Sequence, residues 1–301
     1  MIAVDWGTSN LRLYRMSASG EVLERRRCEG GLYDQPEQYA EVLRREIQGW
    51  DDRDIVLSGM VGSRSGWKEM PYLDCPLGQQ ELAAAMQRFS PPGFDDRRLW
   101  MIPGVRDRHS ASVPDVMRGE ETQIAALLDV LPGGTHVICL PGTHSKWVTV
   151  RDGQIITVRT AMTGELFAVL RNYSILGKLM SEDERFDAYA FDAGLRRSAE
   201  SGGWLQHLFS VRTAGLFREF SEASLPSYLS GILIGHEIRA SDLLTRVPRP
   251  AQVHLVGSDR LLASYAHALT TLGIGVQRHS EHLAAVGMAK LLALVEGEAG
   301  A

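Results

Sequence analysis

Cysteine is scarce. The 301 residues carry three, Cys28, Cys75 and Cys139, at no spacing that suits a metal site. An odd count with no pairing pattern fits a reducing compartment, so a cytoplasmic location is expected. Cys139 lies in an apolar stretch and reads as packing. Long apolar runs are missing as well. None approaches the ~18–20 residues that a membrane-spanning helix needs, so no membrane partner is expected. The first residues enter a strand pattern at once, without the charged segment and apolar core of a secretion signal, and no such signal is expected. Net charge is −5, so there is no basic excess to mark a nucleic-acid-binding surface, and no helix-turn-helix pattern is spare. The local run Glu24-Arg25-Arg26-Arg27 ends a strand pattern and reads as a solvated face. What remains is an ordinary globular mixture, 44% hydrophobic and 23% charged, long enough for two domains or one large one.

The richest information lies in the first residues. Ile2-Ala3-Val4-Asp5 is a short apolar run ending in an acid, and Gly7-Thr8-Ser9 turns the chain into a second strand-like run. This is the layout of a strand–turn–strand loop that holds phosphate. Asp5 can hold a metal directly or through water. Gly7 lets the backbone approach an anion, and the Thr8 and Ser9 hydroxyls and the turn N–H groups can donate to phosphate oxygens. A similar arrangement recurs at Ile138-Cys139-Leu140-Pro141-Gly142-Thr143-His144-Ser145-Lys146-Trp147. Here Gly142, Thr143 and Ser145 suit phosphate contact. His144 can donate to a phosphate or pack at the turn, and Lys146 can bring a cation to the phosphates or stand exposed on its strand. One such turn is common and carries little weight. Two, each between strand-like runs, suggest a nucleotide clamped between two related lobes.

Strands are expected at residues 2–5, 10–16 and 21–27, with a helix over 36–48 whose apolar face is Tyr39, Val42, Leu43 and Ile47. A further strand is expected at 54–58, and a strand running into a loop over 99–104. Residues 115–123 lead into a helical run that Pro132-Gly133-Gly134 stops. A second three-strand pattern follows at 136–141, 145–150 and 154–159, so the opening meander is duplicated. Helical patterns then cover 164–180, 183–199, 203–220 and 226–244. A strand at 253–256, a helix at 260–272, a strand at 275–278 and a helix at 281–295 complete the chain. The alternation predicts an α/β protein.

These features in this order resemble the actin/hexokinase/Hsp70-like ATPase superfamily. Its pattern of first phosphate loop, connecting helix, second phosphate loop, adenosine motif and second connecting helix looks like residues 2–12, 115–131, 138–150, 253–262 and 281–295. The resemblance implies a two-lobed actin-like (ribonuclease H-like) α/β fold, with duplicated β-meander sheets flanked by helices and ATP in the inter-lobe cleft. It divides the chain into an N-terminal lobe, 1–127, with phosphate loop 1 and the sugar-acid site. A C-terminal lobe, 128–280, carries phosphate loop 2 and the adenosine site, and a connecting helix, 281–301, packs back toward the lobe junction. Asp5-Trp6-Gly7-Thr8-Ser9-Asn10-Leu11-Arg12, Ser58-Gly59-Met60-Val61-Gly62-Ser63, Met117-Arg118-Gly119-Glu120-Glu121-Thr122-Gln123, Leu140 to Trp147 and Met162-Thr163-Gly164-Glu165-Leu166-Phe167 together resemble the 2-dehydro-3-deoxygalactonokinase family. That resemblance implies ATP and Mg²⁺ as cofactors and phosphorylation of the 6-hydroxyl of 2-dehydro-3-deoxy-D-galactonate. In one respect the chain departs from the superfamily. Many members have a second acid at the strand end of phosphate loop 2, where this chain has Leu140 and Pro141, which leaves Asp5 as the main anchor for Mg²⁺.

The base should be a carboxylate at the start of the connecting helix. Glu120 and Glu121 both sit there, pointing about 100° apart, and a helix N-terminus favours carboxylates in any case. Analogy with polyphosphate-cleaving relatives favours Glu121, with Glu120 next. An anionic keto-acid calls for guanidinium groups, so Arg64 and Arg118 are candidates, with Ser63 and Trp67 nearby. Arg12 reads as support for the first loop. Glu165 can orient substrate hydroxyls or a metal-bound water. Gly257 and Ser258 are small enough for a purine to lie against backbone. Glu237, after Gly231 and Gly235, can take ribose hydroxyls, while those glycines serve close helix packing equally well. Unpaired edges and exposed helices are compatible with a homodimer. Two other readings stay open: a phosphohydrolase of the polyphosphate or guanosine-phosphate type, and a non-catalytic nucleotide-binding sensor.

Overall fold

A computed structural model of the chain describes residues 1–8, 10–29, 31–183, 185–241 and 252–299. Ser9, expected to contact phosphate, and residues 242–244 of the expected long helix lie outside them. The chain forms two compact units, Met1–Ile138 with Val148–Val158 and Ser280–Ala301, and Cys139–Trp147 with Arg159–His279. Both are α/β.

The first unit holds a six-stranded sheet. Its strands are β1 (Ile2–Trp6), β2 (Asn10–Met16), β3 (Val22–Glu29), β4 (Asp54–Gly59), β6 (Gln87–Phe89) and β7 (Arg98–Met101), in the order β3-β2-β1-β4-β7-β6. Strand β1 is central, antiparallel to β2 and parallel to β4. Ile2, Ala3, Val4 and Trp6 are fully buried, as expected where a strand is covered on both faces. The register sets Asp5 beside Arg12 on β2 and Ser58 on β4. Helix α1 (Pro36–Glu46) lays Tyr39, Ala40 and Leu43 into this core.

A smaller sheet, β5 (Tyr72–Asp74), β8 (Gly104–Asp107) and β9 (Asp115–Met117), has the order β5-β8-β9. It was not expected, because strands of three or four residues are too short to show a period. The strand-then-loop expected over 99–104 is β7 followed by Ile102 and Pro103, which lead into β8. Helix α2 (Gln79–Ala84) and helix α3 (Glu120–Leu128) complete the order up to residue 128. The last helix of the chain, α9 (Leu283–Ala299), packs on α3, α2, β1 and β4. Its crossing with α3 is tight, since a Cβ at Gly287 would stand 1.8 Å from the Thr122 carbonyl oxygen.

The duplicated meander is present as β10 (Thr135–Leu140), β11 (Ser145–Arg151) and β12 (Gln154–Ala161). With β13 (Gln252–Gly257) and β14 (Gly275–Ser280) they make a five-stranded sheet in the order β12-β11-β10-β13-β14. The helices of the second unit are α4 (Thr163–Tyr173), α5 (Ala188–Arg197), α6 (Gly203–Leu216), α7 (Leu225–Ala240) and α8 (Asp259–Thr271). The first three are shorter than expected, and caps interrupt α4 and α5. Ser174 Oγ accepts from Leu176 N and turns the end of α4 into a 3₁₀ segment, Ile175–Leu179. Asp187 Oδ1 accepts from the backbone N–H groups of Tyr189 and Ala190, which starts α5 late. Gly231 serves close packing, since a Cβ there would meet the Phe191 carbonyl oxygen of α5 at 2.1 Å.

Candidate active site

In the first unit the site residues converge at the C-terminal ends of β1 and β4 and the start of α3. Asp5 closes β1, and Arg12 Nη1 donates to its Oδ2 at 2.8 Å. The other end of that guanidinium lies 3.4 Å from Glu281, just before α9. Burial raises the Asp5 carboxyl above the usual carboxylate range, and Arg12 opposes the rise. The first loop is closed by Gly7 N–H donating to Asn10 O at 2.9 Å, and the Thr8 side of the turn is exposed.

Glu120 and Glu121 open α3 as expected, in very different surroundings. Glu121 is fully buried. Ser58 Oγ donates to its Oε1 at 2.9 Å and Gly119 N–H to its Oε2 at 2.6 Å. Burial, reinforced by Glu120, pushes its pKa up to about 8. Glu120 is half-buried and accepts from Arg118 N–H at 3.1 Å. Two glycines permit this corner. At Gly59 φ is 100° and a Cβ would stand 2.7 Å from Trp6 O; at Gly119 φ is 113° and a Cβ would meet Gly59 Cα at 3.2 Å.

Arg118 is buried under the same turn. Its Nη2 donates to Met70 O at 2.8 Å, and its guanidinium lies over the Tyr72 ring at 4.2 Å. Its Nη1 has no hydrogen-bond partner among the described residues, and neither does the buried Ser63 Oγ. A Cβ on Gly62 would stand 3.1 Å from that same Nη1, which sets the orphaned nitrogen against the Gly62-Ser63 turn. Arg64 is exposed. Trp67 stacks on Tyr39 at 5.9 Å and meets Phe89 edge-on, so its ring belongs to the core beneath the turn.

In the second unit the start of α4 is pressed onto the second loop. Glu165 N–H donates to Thr143 O at 2.9 Å, and a Cβ on Gly164 would fall 2.3 Å from Gly142 O. Gly164→Ala should therefore unseat this loop and lower the melting temperature by several degrees. A thermal melt in which the variant matches wild type would contradict that contact. His144 and Glu165 are bonded to each other through Nε2 and Oε2. Thr143 and His144 are exposed, whereas Lys146 is buried with Nζ donating to Thr160 Oγ1 at 2.8 Å. Ser145 is fully buried and bonded to the Tyr265 hydroxyl at 2.8 Å. Tyr265 OH in turn donates to Glu237 Oε2 at 2.6 Å, and Trp147 Nε1 to Oε1 at 2.7 Å. Both Glu237 oxygens are thus engaged within the protein, where a ribose contact had been expected, and the side chain ties β11, α7 and α8 together. Burial raises its pKa, against the pull of those donors. Gly257 ends β13 with Pro141 O 3.6 Å from where a Cβ would stand, and Ser258 occupies the N-cap position of α8 without a side-chain capping bond.

The family model for 2-keto-3-deoxy-galactonokinase matches residues 5–291. The chain belongs to this kinase family. A probable 2-dehydro-3-deoxygalactonokinase of Rhizobium meliloti (strain 1021) is 36% identical over 282 residues, 91% of this chain and 90% of its own. The 2-dehydro-3-deoxygalactonokinase of Escherichia coli (strain K12) is 34% identical over 278 residues, 91% of each chain. The crystal structure of a Sinorhizobium meliloti protein assigned as a 2-dehydro-3-deoxygalactonokinase superposes with a TM-score of 0.87 at 34% identity, covering 98% of this chain and 96% of that one. The fold is the actin-like ATPase fold that the family resemblance implied. No helix among the described residues is long and apolar enough to cross a membrane.

Sequence reasoning about this kinase missed Ser58, Trp147 and Tyr265 as partners of the key acids. Ser58 and Trp147 lie in motifs already singled out, but a buried hydroxyl or indole gives no sign of its partner. Tyr265 sits mid-helix and carries no signal at all.

Proposed function

We propose that the chain transfers the γ-phosphoryl group of ATP to the 6-hydroxyl of 2-dehydro-3-deoxy-D-galactonate in the cytoplasm, as a step of galactonate catabolism. The attacking hydroxyl oxygen forms the new bond to phosphorus, the bond to the β-phosphate oxygen breaks, and the hydroxyl proton goes to a carboxylate of the chain. Residues 1–127 supply phosphate loop 1 and the sugar-acid contacts. Residues 128–280 supply phosphate loop 2 and the adenosine contacts, with Gly257 and Ser258 against the purine, and 281–301 the second connecting helix. Gly7, Thr8, Gly142 and Thr143 hold phosphates with backbone and hydroxyl donors. Mg²⁺ commonly takes one or two carboxylates plus nucleotide phosphates and keeps several waters. A single strand-end acid fits that donor set, so Asp5 would hold the ion delivered with ATP, steadied by Arg12. When bound, the ion neutralises charge on the phosphates.

The observation that carries the sugar-acid reading is the buried, orphaned Nη1 of Arg118, set against the turn at Gly62. A buried donor left unpaired costs about 1–3 kcal/mol, and a substrate carboxylate would accept from it. Glu121, three residues on from Arg118 in sequence, is the proposed base. The test is ADP release with Mg·ATP against a panel of 2-keto-3-deoxy sugar acids including both C4 epimers, with the product's phosphorylated carbon assigned by NMR. Turnover of the galactonate epimer with phosphate on carbon 6 is expected. Turnover of both epimers would remove the narrow substrate, and no stimulation by any sugar acid would remove the reading.

A further inference from the structure

Helix α7 is buried along most of its length, and its single acid, Glu237, is buried with it. A carboxylate is costly to bury unless donors surround it. Here four side chains supply them. Trp147 Nε1 and the Tyr265 hydroxyl donate to separate oxygens at 2.7 and 2.6 Å, and the hydroxyls of Thr163 and Ser145 bond to the same carboxylate. Ser145 also shares a 2.8 Å bond with the Tyr265 hydroxyl.

Each of these donors belongs to an element that frames the second loop or the expected adenosine position. Ser145 and Trp147 lie on β11, directly after His144. Thr163 opens α4, whose next two residues press on the loop: Gly164 lies against Gly142 O, and Glu165 N–H donates to Thr143 O. Tyr265 stands on α8, the helix that begins after Gly257 and Ser258. One carboxylate thus grips the strand leaving the loop, the helix resting on the loop and the helix that carries the adenosine position at its start. Its own mount is firm. A Cβ on Gly231 would stand 2.1 Å from Phe191 O, and one on Gly235 2.2 Å from Ser198 Oγ, so α7 is seated closely on α5 and its C-cap residue.

Electrostatics alone would disfavour an acid here, because a fixed negative charge behind a loop that holds phosphates repels them. We propose that Glu237 is a positioning residue for the nucleotide: without touching the ligand, it holds Gly142 and Thr143 of the second loop in register with the start of α8. The inference rests on the nucleotide reading of that loop.

Isothermal titration calorimetry of the full chain with a non-hydrolysable ATP analogue and Mg²⁺, without sugar acid, tests it. A carboxylate acting only as a charge and one acting by position predict opposite signs. Glu237→Gln removes the repulsive charge, so a pure charge effect would tighten binding. Positioning predicts weaker binding, because the new amide nitrogen cannot accept from the donors around it. A rise in Kd of about tenfold or more is expected, since bonds to a charged group are lost. Tyr265→Phe keeps the charge and removes one donor, and should raise Kd by about 3- to 10-fold, the effect of one net hydrogen bond. Tyr228→Phe controls for stability. It removes a buried hydroxyl of the same unit, bonded to Ser210 Oγ at 2.9 Å, and should lower the melting temperature while leaving Kd unchanged. If Glu237→Gln fails to fold, Tyr265→Phe decides alone. Kd values at or below wild type in the Glu237 and Tyr265 variants would overturn the proposal, as would an equal loss of affinity in Tyr228→Phe. A wild-type chain that does not bind the analogue would remove the nucleotide reading as well, an outcome distinct from binding that the variants leave unchanged.

Discussion

Glu121→Gln is expected to lower kcat by about 10²- to 10⁴-fold, the usual contribution of a positioned base, with little change in KM for ATP. The substitution is close to isosteric. Gln can turn its oxygen to the Gly119 N–H and its amide to Ser58, whose hydroxyl can accept as well as donate. Folding should therefore survive, and pH provides the decisive readout. A base works when ionised, and burial holds the Glu121 pKa near 8. Wild-type kcat/KM should climb as pH rises through that value, and the climb should vanish in the variant. Stability runs the other way. The folded state keeps a proton on Glu121 that the unfolded chain, with its ordinary value of 4.5, releases. Between those values the fold binds more protons than the unfolded chain, so this residue's contribution falls as pH rises from about 4.5 to about 8. The melting temperature of Glu121→Gln should accordingly gain on wild type across that window. Glu120→Gln, at the half-buried acid, should show neither effect at comparable size. If Glu120→Gln abolishes turnover while Glu121→Gln preserves it, the two roles are exchanged.

The meanders were legible because their strands are long enough to alternate. Leu11 and Leu13 are fully buried while Arg12 between them is partly exposed, and that contrast is written in the residue types. The three-residue strands β5, β6 and β9 carry no such contrast, so the small sheet that holds Tyr72 under Arg118 was not. Positions with chemical character, Asp5, Glu121 and Arg118, could be named from the motifs in which they stand. Their electrostatic surroundings could not, because those depend on groups far apart in sequence. Ser58 meets Glu121 across 63 residues, and Trp147 meets Glu237 across 90. Glu237 shows the limit best. Its place after Gly231 and Gly235 pointed equally to helix packing and to a nucleotide contact. The packing of Gly231 on Phe191 and the closure of both carboxylate oxygens favour the first.

Arg118 is where a substitution should separate substrate binding from folding. Arg118→Lys keeps the charge but replaces a rigid fork with a single ammonium. An ammonium that reaches Met70 O cannot also present the nitrogen now held against the turn at Gly62. A hydrogen bond to a charged group contributes about 1.5–3 kcal/mol, so KM for the sugar acid should rise by roughly 10- to 150-fold while KM for ATP stays within about twofold. Saturating sugar acid should raise the melting temperature of wild type, as any ligand that binds only the folded state must. That rise should shrink in Arg118→Lys at the same ligand concentration. Ser63→Ala, which removes the second orphaned group and orphans no other, should move KM in the same direction by a smaller factor without lowering stability. The pattern that would defeat this assignment is a lower melting temperature with unchanged sugar-acid KM. In that case the guanidinium serves only to tie Met70 and Tyr72 beneath the turn, and the carboxylate is held elsewhere, with exposed Arg64 as the next residue to replace.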